Sequence, residues 1–156
     1  MIQRIQTLFL ALTAIIAIAM FFTPLATFFS DFYYLRLYLY KFENTTPGSD
    51  LQFSFITILP MLVLNTALIV ITVYTIFKFK NRILQIRLVR FAMLLSMLLI
   101  VGIFLLYPNV VIKQTDAVSE FNIGAYIPIL NLLFLFLANQ YITKDERLIR
   151  SMDRLR

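Results

Sequence analysis

A chain of 156 residues has the length of one domain. With 61% hydrophobic and 14% charged residues it lacks the polar surface a soluble domain of that size needs, so its composition is that of a membrane protein. The net charge of +6 points to no nucleic acid, because the basic residues stand at the ends of apolar runs; the absence of cysteine and histidine excludes disulfides, thiolate chemistry, His-ligated haem and most zinc or copper sites.

Residues 5–29 form the first apolar run, broken by Thr7, Thr13, Thr23 and Pro24. About 20 helical residues cross a hydrocarbon core, so a first span is expected over 5–29, ended or kinked near the surface by Pro24. Signal-peptide cleavage requires small residues at the last and third-last positions before the cut. Ala26 has Pro24 there and Ser30 has Phe28, so the run reads as an uncleaved anchor.

The loop 30–55 changes character. Phe32 to Phe42 is rich in aromatics and alternates, with Leu35, Leu37 and Leu39 on one face and Tyr34, Arg36, Tyr38 and Tyr40 on the other. That pattern predicts a strand. The turn residues of 44–50 and the alternating 51–55 complete an expected β-hairpin. The tyrosine face reads first as an aromatic belt at the membrane interface, and as the alternative it is a candidate outer surface for a head group, glycan or partner.

Three further spans are expected over 56–77, 88–107 and 123–142. Pro60 lies in the first turns of the second, Pro108-Asn109 stops the third, and Pro128 lies in the fourth. In the second outer loop, 108–122, Val110-Val111-Ile112 is a candidate third strand. Between the second and third spans lies the basic turn 78–87. From Lys78 to Arg90 this region holds five of the fourteen Lys and Arg residues and no acid. The tail 143–156 reads as a separate amphipathic helix, with Thr143 and Glu146 at capping-box spacing and Leu148, Met152 and Leu155 on one face.

The expected fold is therefore an all-α membrane protein: a four-transmembrane-helix bundle, one domain over 1–156, with a small β-hairpin or sheet in the first extracytoplasmic loop. Arg4, the basic turn and the tail hold eleven basic residues against three acids, and the two other loops hold three against five. Basic flanks stay in the cytoplasm, so both termini are expected there.

No catalytic residue, metal site or cofactor is expected. There is no Ser–His–Asp set and no glycine-rich phosphate loop, and no Asp, Glu, Lys or His falls within a span, Arg90 standing at the basic edge of the third. Two sets of residues remain. On the inner face, Arg82, Gln85, Arg87, Arg90, Asp145, Glu146, Arg150, Asp153 and Arg154 form a candidate docking surface, where Asp145, Glu146 or Asp153 are expected to pair with Arg82, Arg87 or Arg90. Inside the membrane, Asn65 and Asn131 are expected to hydrogen-bond each other across two helices or to line a ligand site.

Three stretches carry a resemblance: Met1-Ile2-Gln3-Arg4-Ile5-Gln6-Thr7, Asn81-Arg82-Ile83-Leu84-Gln85-Ile86-Arg87-Leu88, and the tail from Asp145 to Arg156. Together they resemble an uncharacterised family of bacterial four-helix inner-membrane proteins of unknown function. The resemblance implies a bacterial inner-membrane, multi-pass protein and brings no catalytic residues. The expected role is a non-catalytic accessory or assembly subunit of a larger membrane complex, in contact with the lipid bilayer and a membrane-protein partner. The alternative is a binder of a lipid or lipophilic small molecule within the bundle, near Asn65 and Asn131.

Overall fold

In the computed structural model, residues 3–30, 34–44, 54–79, 81–115 and 117–153 are described, with side chains from Ile5 to Ile149 apart from Gln114. The element order is α1 (Gln3–Ala19), β1 (Ala26–Phe29), β2 (Tyr34–Leu37), β3 (Phe42–Asn44), α2 (Phe55–Phe77), α3 (Arg82–Val101), a π-helical turn (Gly102–Leu106), α4 (Tyr107–Thr115), β4 (Val118–Phe121) and α5 (Ile123–Asp153). Three helical stretches, Phe55–Phe77, Arg82–Lys113 and Ile123–Ile149, are long and apolar enough to cross a membrane; Ile5–Ala19 is a shorter apolar helix.

The helices pack in a ring: α1 against α2, α2 against α3, α3 against α5, and α5 against α1. Their buried positions explain why. In α2 these are Ile58, Met61, Asn65, Leu68, Thr72 and Thr75, and in α3 Gln85, Val89, Ala92, Ser96 and Leu99, with Leu95 buried beside that row. Steps of three and four alternate along both. This is the seam spacing of helices that cross at a shallow angle with side chains interlocked. Buried Leu10, Thr13, Ala17 and Met20 in the N-terminal stretch, and Asn131, Leu135, Ala138, Ile142 and Asp145 in α5, repeat it.

Two apolar cores result. One, around Leu10, Ala17, Leu68, Val89, Leu95 and Leu135, fills the bundle. The other, around Met20, Phe28, Leu35, Leu37, Leu39, Met61 and Ile103, lies where the sheet closes one end. Between them in register stand three fully buried polar side chains, Asn65, Ser96 and Asn131.

The first span is shorter than expected. Helix α1 ends at Ala19, so its 17 residues cover only about 25 Å, and Ala26–Phe29 is a strand. Pro24 contributes no donor and holds Thr23 away from helical geometry. The apolar residues beyond it are the centre of a sheet ordered β3-β2-β1-β4, antiparallel throughout. Ala26 faces Leu37 on one side and Phe121 on the other. A short apolar run does not reveal whether it is helix or strand; here both neighbours satisfy its backbone.

The sheet also departs from the expected hairpin. Of the strand expected over 32–42, Tyr34–Leu37 forms β2, Tyr38 N–H then turns back to Lys41 O at 2.8 Å, and β3 begins at Phe42; 32–33, like 45–50 of the expected turn, lie outside the described residues. Of the strand expected over 51–55, Ser54 caps α2 and Phe55 is its first residue, and 51–53 lie outside the described residues. Val110-Val111-Ile112 is helical, and the outer strand from the second loop is β4 instead.

Nor does Pro108 stop the third helical stretch. Ahead of it the helix widens into the π-turn, where Tyr107 N–H bonds to Gly102 O. The wider turn makes room for a ring that would otherwise press on the carbonyl four residues back, and Asn109 Nδ2 donates to Leu105 O at 2.7 Å. The third stretch also starts earlier, because Asn81 caps α3 by accepting from Leu84 N–H at 3.1 Å. Arg82, Arg87 and Arg90 are thus helical. The tail is not a separate helix either: α5 runs unbroken through Thr143 to Asp153, and no cap forms there.

At the other end of α5, Gly124 lies against the 23–24 turn. A Cβ at Gly124 would collide with Pro24 O and sit 2.9 Å from Thr23 Oγ1, closer than real Cβ contacts allow.

Candidate functional site

The end of the bundle away from the sheet is where chemistry-bearing side chains from distant parts of the chain meet. Asp145, 5% exposed, stands on the α5 seam two heptads after Asn131. Its Oδ2 accepts a hydrogen bond from Gln6 Nε2 of α1 and lies 3.9 Å from Arg82 Nη1 of α3. One carboxylate therefore ties α5 to both of its neighbours. Gln85, also buried, donates Nε2 to Thr75 O at 3.0 Å and braces the α2–α3 turn. Phe9 stacks on Phe134 and Tyr141, with ring centroids 6.1 and 5.7 Å away, and holds α1 to α5.

The three stretches that carried the resemblance converge here, through Gln6, through Arg82 with Gln85, and through Asp145. Gln6 was not among the residues singled out from sequence. Its signal was the helical seam, since Gln6, Leu10, Thr13, Ala17 and Met20 share one stripe.

Beside this clamp a pocket of about 630 Å³ opens between α3 and α5, lined by Arg90, Asn139, Gln140, Thr143, Lys144, Arg147 and Leu148. Arg90, Lys144 and Arg147 are exposed, and the described lining contains no carboxylate. The pocket's described lining therefore carries three positive charges and no negative one. Of its lining, only Arg90 was a candidate from sequence.

The remaining inner-face candidates are dispersed. Arg87 is exposed and Glu146 half-buried. Arg150 and Asp153 lie on the last turns of α5 with side chains outside the described residues, and Arg154 lies outside them altogether.

Asn65 and Asn131 do not pair. Asn65 Nδ2 donates to Ala17 O at 3.1 Å, while Asn65 Oδ1 and both polar atoms of Asn131 find no protein partner. Helices α2 and α5 are diagonal in the ring, each flanked by α1 and α3. Ser96 takes the α3–α5 bond instead, donating to Pro128 O at 2.7 Å. Neither asparagine lines the basic pocket or the apolar groove of about 380 Å³ between α2 and the α3–π–α4 stretch, which runs past Pro60, Met61, Leu64, Leu99, Gly102 and Tyr107.

On the sheet the alternation expected from sequence is present. Leu35, Leu37 and Leu39 are buried, and Arg36 and Tyr40 are exposed with Tyr34 and Tyr38 half-buried. Arg36 Nη2 donates to the Tyr34 hydroxyl at 3.1 Å, which holds the guanidinium above its usual range. Lys41 Nζ lies 3.0 Å from Glu43 Oε1 and 5.3 Å from the Tyr38 ring, and the carboxylate raises the ammonium pKa. These are cation–aromatic contacts of a surface sheet and need no ligand.

Among the described residues no group of three His, Cys, Asp or Glu could hold a metal ion. A family model described as Domain of unknown function (DUF4293) matches residues 2–155. No curated protein and no solved structure matches the chain.

Proposed function

The chain belongs to the DUF4293 family of unknown function, and from its geometry we propose that it is a non-catalytic accessory or assembly subunit of a larger bacterial inner-membrane complex. Both termini lie in the cytoplasm, and α1 with the turn behind it is the fourth crossing. The division of basic residues supports that orientation, since Arg82, Arg87, Arg90, Lys144 and Arg147 all fall at the end of the bundle away from the sheet.

The observation that carries the accessory role is the groove between α2 and the α3–π–α4 stretch. It is almost wholly apolar, with Gly102 in its lining and the exposed side chains of Leu98, Val101, Leu106 and Val110 along it. A glycine in an intramembrane groove lets a second backbone approach closely, which is how helices associate in lipid. Its occupant on this reading is a transmembrane helix of the partner subunit.

The test is purification in a mild detergent followed by mass spectrometry of what co-purifies. A stoichiometric membrane protein is expected, and Gly102→Leu is expected to release it. The first carbon of that side chain meets Tyr107 Cε2 at 3.7 Å, an ordinary contact, and a thermal melt of the variant separates loss of the partner from loss of the fold. A monodisperse protein carrying a stoichiometric lipid and no protein would overturn the reading in favour of a lipid binder.

A further inference from the structure

We infer that the pocket between α3 and α5 binds the phosphate head group of an anionic phospholipid. Arg90 of α3 meets Lys144 and Arg147 of α5 there, and guanidinium forks with an ammonium point charge are the usual partners of phosphate oxygens. The volume of about 630 Å³ far exceeds the roughly 30 Å³ share of one water.

Two further groups in the lining lack protein partners. Thr143 Oγ1 and Asn139 Oδ1 are shielded from solvent and make no hydrogen bond within the protein. Buried polar atoms are as a rule satisfied, so these two point to a ligand that completes them. A rotation of the Thr143 side chain about Cα–Cβ brings its hydroxyl from this shielded position to a phosphate oxygen. A half-turn of the Asn139 amide presents its N–H group to the same anion.

The surroundings select a lipid over a soluble phosphate. Leu94 and Met97 follow Arg90 by four and seven residues along α3, and Phe136 and Leu133 precede Gln140 by the same spacings along α5. All four are exposed. Residues at those spacings share a helix face, so the pocket opens onto two apolar stripes. Acyl chains lie along the stripes while the phosphate sits among the cations. Basic pockets between spanning helices hold anionic head groups in this way. The site lies on a different seam from the α2–α3 groove and does not depend on the accessory-subunit reading.

Native mass spectrometry of the full chain, released from micelles doped with dioleoyl phosphatidylglycerol or dioleoyl phosphatidylcholine, tests the inference. One phosphatidylglycerol per chain should be retained about tenfold better than phosphatidylcholine, and glycerol 3-phosphate should not compete. Lys144→Gln with Arg147→Gln should lower that retention about tenfold and leave phosphatidylcholine unchanged; both side chains are exposed, so the fold survives. Thr143→Val should lower it severalfold, a loss that diffuse attraction to basic helix ends does not produce. Equal retention of the two lipids overturns the inference, and so does indifference to the double variant or to Thr143→Val. Competition by glycerol 3-phosphate at equal concentration reassigns the site to a soluble phosphate and overturns the lipid.

Discussion

The Asp145 carboxylate on α5 accepts a hydrogen bond from the Gln6 side-chain amide on α1, 139 residues earlier in the chain. Arg82 stands 3.9 Å from the same oxygen with its side chain 22% exposed. The hydrogen bond and the ion pair separate by substitution. Asp145→Asn keeps an acceptor for Gln6 and removes the charge, and at that distance and exposure the loss should be about 0–1 kcal/mol. Asp145→Ala strands the buried Gln6 amide and should cost about 1–3 kcal/mol. Unfolding in mixed micelles measures both, and equal losses would show that the ion pair dominates.

Gly124 should not accept any side chain. Its missing Cβ is the space occupied by Pro24 O and Thr23 Oγ1, and backbone does not step aside as a flexible side-chain tip does. Gly124→Ala is expected to destabilise by about 1–3 kcal/mol, the range of overpacked sites. Gly102→Ala, where the nearest atom is at 3.7 Å, should stay within about 0.5 kcal/mol. A thermal melt of the two variants side by side checks the contrast.

The two buried asparagines should behave differently. Asn65→Leu loses the bond to Ala17 O and should cost about 0.6–1.7 kcal/mol, the range of intramembrane hydrogen bonds. Asn131 has no protein partner for either polar atom, so Asn131→Leu should be neutral or stabilising. A loss above about 1 kcal/mol at Asn131 would show that it holds a water or a ligand.

The lack of cysteine gives a clean background for the topology. Lys41→Cys, beside β3, should react with a membrane-impermeant maleimide in intact cells. Lys144→Cys, on the inner stretch of α5, should react only after permeabilisation. The reverse pattern would invert the orientation.

Much of the architecture was legible because it rests on local patterns. Leu35, Leu37 and Leu39 announced a buried face by alternation, and α2 matched its apolar run within a residue. What misled were the breakers. Pro24 does end a helix, but Pro108 is absorbed by the π-turn before it. Thr143 and Glu146 have capping spacing inside a helix that never stops. A breaker or cap is decided by whether the helix gains more packing by continuing, as α5 does by carrying Asp145 to Gln6. Within the candidate site, the expected link between an inner acid and the basic stretch is present as Asp145 with Arg82, whereas the seam position of Gln6 did not name its partner, and the spacing of Thr143 pointed to a cap rather than to a pocket.

The sequence by itself determined that this chain builds long apolar helices and where its positive charge collects, because hydrophobic length and charge are properties of a segment alone. Only the tertiary structure decided that Ala26–Phe29 is an inner strand of a sheet, since a strand's hydrogen bonds lie with its neighbours. It also decided which helices are adjacent and which diagonal. That arrangement keeps Asn65 from Asn131, brings Gln6 and Arg82 to Asp145, and sets Arg90 against Lys144 and Arg147.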